Sequence, residues 1–336
     1  MKIIVIVKKN YDFIELESII DFYKPDHLHL FSFTSKNNFE LHNFAKTVLK
    51  SLVLKFKKKV LKIEESFFYM DEIRNGKDVY NKLSPFIDGE CIIGLPLANS
   101  RFFIDSVKYF NKNPNVVVCH LTDSILDFIP RHKYFFKKYK LSFLNIFKCV
   151  FLYLKLINNL SDISFSIFSN YSAFSKKTIK IKPNRNHSNQ AREMLDGVIP
   201  LLSKAKNGIL LIPTQKVSAE LLISHFKLHE FMGRIIISSK FGDVTMNNKK
   251  YWANSSISAE ELLQTGYISE IYAGPSTATF YAKELNSNIN TTILFTYEQN
   301  KLYGFAHIGW LKKQSIKYNI KFLDLENSLS SSSIKI

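Results

Sequence analysis

The chain predicts an α/β protein built from two doubly wound domains, and three observations carry that reading. Short apolar runs alternate with longer amphipathic ones, the pattern of parallel strands joined by helices that cover both faces of a sheet. The alternation is interrupted by the polar run KKTIKIKPNRNHSNQ (176–190) and then resumes. At 336 residues, with 46% hydrophobic and only 11 Gly and 9 Pro, the chain has material for two ordinary cores and little linker.

In the N-terminal half, 3–7 reads as a buried strand; the opening MKIIVIVKKN is too short an apolar stretch for a signal-peptide core. A helix is expected over 13–22, a strand with alternating faces over 27–33 and a helix over 41–54. An extended segment follows at 59–63, then a helix around 70–83. Strands at 90–94 and 116–120 flank a helix at 101–110. After the polar run, 191–202 is expected to be helical, 208–213 a strand, 219–229 a helix and 234–238 a strand. A strand at 290–295 closes the second series, and the serine-rich end reads as a disordered tail. The expected domains are 1–185 and 186–326, with the tail at 327–336.

The formal net charge of +17 favours anionic partners: nucleic acid, an acidic membrane face or phosphorylated substrates. Richness in Lys, Asn, Ile and Phe is also what an AT-rich genome produces, so both origins of the excess stay open. Nucleic acid is the weaker partner, because no helix-turn-helix, zinc-finger or RNP signature is present and the lysines are spread along the chain. The three cysteines, Cys91, Cys119 and Cys149, have neither CxxC nor Cys/His ligand spacing.

Residues 131–160, RHKYFFKKYKLSFLNIFKCVFLYLKLINNL, mix aromatics with lysines and contain no acid. The second part is expected to be helical. One reading is a surface helix whose aromatic face packs on its own domain. The other is an interfacial segment whose rings enter the headgroup boundary while lysines meet anionic lipid.

The richest stretch is 257–283, ISAEELLQTGYISEIYAGPSTATFYAK. It reads as a short helix headed by Glu260 and Glu261, an apolar strand at 268–273, and a Gly-Pro-Ser-Thr turn that opens a second helix. Ser276 and Thr277 add hydroxyl donors to unpaired backbone N–H groups at a helix start, a ready anion site. The same residues also serve as an ordinary N-cap. An acid ahead of the strand can accept hydrogen bonds from sugar hydroxyls. The chain has no GxGxxG after its first strand, no Walker A lysine, no HExxH, no G-x-S-x-G and no Asp-x-Asp; Asp324-Leu-Glu326 comes nearest to the last, in a ragged C-terminal region.

The pattern Ile257-Ser258-Ala259-Glu260, a short strand, Ser276-Thr277 and Tyr281-Ala282-Lys283 resembles the nucleotide-binding run of the bacterial GT-B sialyltransferases, the related families that build lipooligosaccharide caps and polysialic acid capsules. The resemblance covers about this stretch and elsewhere is one of topology. It implies two Rossmann-like domains facing a central cleft and an inverting, metal-independent transfer from a CMP-activated nonulosonic acid to a surface-glycan acceptor. It also implies Glu260 at the ribose hydroxyls, Ser276 and Thr277 at the phosphate, and no cofactor beyond the CMP-sugar substrate. The expected location is the cytoplasmic side, peripheral on the anionic inner face of the plasma membrane.

Two hallmarks of those families are altered. The acidic-acidic-Gly motif, whose second acid is the general base, corresponds here to Thr122-Asp123-Ser124, leaving Asp123 either as the base or as the cap of a following helix. The His-Pro pair that meets the leaving phosphate is missing, and Lys240 stands nearest its place. His120, beside Asp123, is a further acid–base candidate or a structural histidine.

Overall fold

The computed structural model describes residues 1–7, 13–97, 100–121, 129, 143–169, 171–183, 189–198, 206–214, 217–238, 244–246, 249–253, 257–296 and 305–325. It is α/β, with two mostly parallel sheets interleaved with helices, and divides into two compact units, Met1–Ile181 and Lys182–Ile336.

The first unit runs β1 (Lys2–Val7), α1 (Phe13–Tyr23), β2 (His27–Thr34), α2 (Phe39–Phe56), β3 (Lys62–Tyr69), α3 (Gly76–Leu83), β4 (Cys91–Leu95), α4 (Arg101–Phe110), β5 (Val116–His120), α5 (Phe143–Asn158), β6 (Ser161–Ser166) and β7 (Ser175–Lys180). The second runs α6 (Asn189–Val198), β8 (Gly208–Ile212), α7 (Ala219–His225), β9 (Ile235–Ile237), β10 (Val244–Met246), β11 (Lys249–Ala253), α8 (Ala259–Gln264), β12 (Ile268–Ala273), α9 (Thr277–Leu285), β13 (Asn290–Phe295), α10 (Phe305–Lys317) and β14 (Lys321–Asp324).

The sheets are ordered β3-β2-β1-β4-β5-β6-β7 and β10-β11-β9-β8-β12-β13-β14. Apart from the antiparallel β10–β11 pair, the strand pairings within these orders are parallel. In each unit the chain lays strands outward on one side of its first strand and then crosses to the other side. Setting the edge strands β7 and β10 aside, both follow the 3-2-1-4-5-6 order of doubly wound nucleotide-binding sheets, with the reversal between β1 and β4 and between β8 and β12.

Local chemistry starts and stops these elements where the sheet needs them. β1 and β8 are buried at every position, as strands covered on both faces must be, and so read as apolar runs, unbroken after Lys2 in β1. α4 begins at Ser100, whose hydroxyl accepts from Phe102 N, and buries Phe103, Val107 and Phe110 against the sheet. α3 begins with a capping box in which Asn75 accepts from Asp78 N while the Asp78 carboxylate accepts from Asn75 N. The core of the second unit gathers Ile209, Leu211, Leu222, Ile235, Ile237 and Leu294.

Several expectations are corrected. β2 is buried on both faces rather than alternating, because it lies inside a parallel sheet. The extended segment expected at 59–63 is strand only from Lys62 and continues to Tyr69. The helix expected over 70–83 is split: a 3-10 turn at Met70–Glu72 ends before the Asn75 cap starts α3. The helix expected over 219–229 stops at His225 and a 3-10 stretch, Leu228–Arg234, follows. Part of the expected linker is β7, a lysine-bearing edge strand paired with β6, which shows how polar an edge strand can be. The second series does not close at β13, for α10 and β14 follow, and Asp324 is a strand residue 2.9 Å from Lys312 Nζ rather than part of a ragged end. The tail 327–336 lies outside the described residues. Among the described residues no helix is long and apolar enough to cross a membrane.

Candidate functional site

The carboxyl ends of parallel strands beside a reversal of strand order are where doubly wound sheets take their ligands, since two neighbouring loops part there in opposite directions. In the second unit that place is the end of β8 and β12. β8 runs into Pro213 and Thr214, and Thr214 closes a small two-residue bridge with Val217 through paired backbone hydrogen bonds of 3.0 Å. β12 runs into Gly274, whose N–H donates to Ile212 O at 3.2 Å. A Cβ on Gly274 would sit 1.8 Å from Thr214 Oγ1, so the two strand ends approach as closely as a glycine alone permits.

Pro275 and Ser276 lead from there into α9. Ser276 is the N-cap: its hydroxyl oxygen accepts from Ala278 N at 3.3 Å, and its carbonyl accepts from Thr279 Oγ1 at 2.6 Å. Ser276 therefore caps the helix and still has a hydroxyl proton to donate. Pro275, Ser276 and Thr277 are half-buried, whereas Ala278 to Ala282 are buried, so the turn is the part of this segment that meets solvent. The arrangement, a helix start with two hydroxyls at the sheet's reversal, is chemically suited to one small anion.

Glu260 is placed differently from what a surface ligand contact suggests. Every residue of α8 is buried, and Glu260 is 7% exposed in the first turn, where a carboxylate also favours the helix dipole. Glu261 is engaged in the capping box, accepting from Ser258 N at 2.9 Å. α8 is tied to α9 by Gln264 Nε2, which donates to Tyr281 OH at 2.7 Å. Lys283 belongs to the far end of α9, where Nζ donates to Ser287 O at 3.0 Å and burial lowers its pKa.

The two catalytic candidates, Asp123 and Lys240, lie outside the described residues. The strands that precede them are described: β5 ends at His120 and β9 at Ile237, with Ser238 N donating to Leu211 O at 2.9 Å. His120 is buried, with Nδ1 3.4 Å from Leu95 O and its ring 4.8 Å from Phe174, the surroundings of a structural histidine. Sequence reasoning missed Thr214 and Gln264. Thr214 had one faint signal, a hydroxyl directly after the Pro that ends an apolar strand. Gln264 had none, since its partner is seventeen residues away. Among the described residues no group of His, Cys, Asp and Glu side chains is arranged to hold a metal ion. No family model matches the chain, and no curated protein sequence matches it.

Proposed function

We propose that this protein is an inverting glycosyltransferase of GT-B architecture that transfers a sialic acid or related nonulosonic acid from its CMP-activated form to a bacterial surface glycan. The observation that carries the reading is the 274–277 turn at the β8/β12 reversal, with Ser276 and Thr277 opening α9. It suits a single phosphate, and the resemblance of 257–283 supplies the nucleotide.

In this reading Ser276 and Thr277 donate to the phosphate and Glu260 accepts from the ribose hydroxyls. Asp123, shortly after β5, takes the proton of the acceptor hydroxyl. The acceptor oxygen attacks the anomeric carbon and the bond from that carbon to the phosphate oxygen breaks. CMP leaves with the bonding electron pair, its charge met by Lys240, shortly after β9. The transition state is oxocarbenium-like, so positioning and phosphate stabilisation supply much of the rate. The CMP-sugar is a substrate, and the reading calls for no resident cofactor or metal.

Thermal unfolding with a panel of nucleotides tests it, because a ligand that binds the native state alone stabilises it, by about 2.7 kcal/mol at a hundredfold excess over Kd. CMP is expected to stabilise more than UDP, GDP or dTDP. Replacing Ser276 and Thr277 together with Ala is expected to remove about 1–3 kcal/mol of CMP binding, the worth of lost hydrogen bonds to a charged group. Glu260→Gln separates a ribose acceptor from an internal acid, since only the former weakens CMP binding more than it weakens the apo protein. Stronger stabilisation by a nucleoside diphosphate leaves a GT-B transferase of another nucleotide sugar, and no response to any nucleotide removes the reading.

A further inference from the structure

Among its described residues, α5 turns five apolar side chains outward. Leu156 is fully buried and Lys155 Nζ holds Asp105 of α4 at 2.7 Å, so the helix is seated through these positions. The opposite side exposes Phe147 (61%), Val150, Phe151 (66%), Leu154 and Ile157. Their spacing of three and four residues puts them on one stripe, about 15 Å long from Phe147 to Ile157 at 1.5 Å per residue. Of the two readings of this segment, the exposure of Phe147 and Phe151 favours the interfacial one. A contiguous exposed apolar stripe on a protein surface marks an interaction site.

The sequence that leads into this helix says what the stripe meets. Lys155 is engaged with Asp105, but residues 131–148, which run into and along α5, carry six further Lys and Arg and no Asp or Glu, within a chain of net charge +17. A second copy would set like charges against each other, at a cost. A nucleic acid would answer the charge but offers no apolar layer for Val150, Leu154 and Ile157. An anionic lipid surface offers both: phosphate headgroups for the lysines and an acyl boundary for the stripe.

We propose that α5 is a membrane-docking helix that lies flat on an anionic lipid surface, with Val150, Phe151, Leu154 and Ile157 entering the acyl boundary. This inference does not depend on the nucleotide-sugar reading, and its test uses no nucleotide. The full chain is sedimented with vesicles of phosphatidylcholine alone or mixed with phosphatidylglycerol. It is expected to bind the mixed vesicles, to bind the neutral ones weakly, and to detach only in part at high salt, because salt screens the charges but leaves apolar burial in place.

The double variant Phe151→Ser/Leu154→Ser changes exposed positions and is expected to keep the parent's unfolding midpoint. It is expected to lose at least about tenfold in affinity for the mixed vesicles, a factor equal to about 1.4 kcal/mol. Substituting Lys133, Lys137, Lys138 and Lys140 with Gln is expected to abolish the preference for anionic over neutral vesicles. Unchanged binding by the double variant overturns the proposal, as does a parent that ignores vesicles. So does a parent dimer that the double variant dissociates without any vesicle binding, which would make the stripe an interface between copies. Binding to duplex DNA in place of vesicles, with a steep salt dependence, overturns it as well.

Discussion

The first unit sets a cluster of imidazole and charged groups at the amino ends of two strands, whereas the second sets a hydroxyl-bearing turn at the carboxyl ends of two. On β2 and β3, His27 Nε2 lies 2.9 Å from Glu64 Oε2, His29 Nδ1 lies 3.4 Å from the same oxygen, and His29 Nε2 is 2.9 Å from Ser66 Oγ. Lys62 Nζ reaches the other Glu64 oxygen at 2.6 Å. The Lys62 hydrogen bond leads the effects that hold Glu64 down at about 2, and burial pushes the His29 imidazole down to about 4. His29 also stacks on Phe31 at 4.4 Å. This cluster ties two neighbouring strands together and lies away from the ligand edge of a doubly wound sheet.

The glycines at the two reversals extend the contrast. Gly94 on β4 pairs with Val5 on β1, and a Cβ there would sit 2.9 Å from a Val5 methyl. Gly274 follows β12 and meets the Thr214 hydroxyl instead. One close approach is lined by hydrocarbon inside the sheet, the other by a hydroxyl beside the loop that opens α9. Equal strand order thus leaves the chemistry of each edge to be set independently.

The largest effect is expected where the proposal assigns the base. Asp123→Asn should lower turnover by roughly 10²–10⁴-fold, while CMP protects the variant from unfolding as it does the parent. Wild-type turnover in that variant would return Asp123 to a helix cap and place the base elsewhere.

The histidine cluster makes stability depend on pH through the first unit. Below pH 6.5 an unfolded His29 takes up a proton that the folded ring refuses until about pH 4. Stability is therefore expected to fall as pH drops through that window, by an amount on the order of 3 kcal/mol, and to level off for this group below it. His29→Phe keeps a ring on Phe31 and should flatten the slope in urea unfolding between pH 6.5 and 4. A slope that persists in the variant places the titrating group elsewhere.

The glycine pair gives the smallest and sharpest contrast. Gly274→Ala forces Thr214 to move and is expected to cost about 1–3 kcal/mol, partly recovered by Thr214→Ala in the double variant. Gly94→Ala puts its Cβ 2.9 Å from a Val5 methyl, which must also shift, but the overlap is smaller and the cost should be less. Equal costs in urea unfolding would show that the 274–214 approach is no tighter than its counterpart.

How far the sequence could be read depended on where each residue's burial comes from. β5, α4, β12 and β13 fall where their patterns put them, because a strand inside a parallel sheet needs apolar anchors and a helix between strands needs one apolar side. The alternation of these runs was enough to determine an α/β chain with two parallel sheets, and the Gly-Pro-Ser-Thr turn was enough to start α9. The edge strands were not legible: β7 carries the lysines Lys176, Lys177 and Lys180 and takes its hydrogen bonds from β6, so its sequence needs no apolar pattern. Nor was the direction in which α5 faces, since its aromatics recur at helical spacing whether the helix shows them to the core or to solvent. The burial of Glu260 and the contact of Gly274 with Thr214 were decided by tertiary structure alone, because they join segments far apart in the chain that meet only after the sheet has formed.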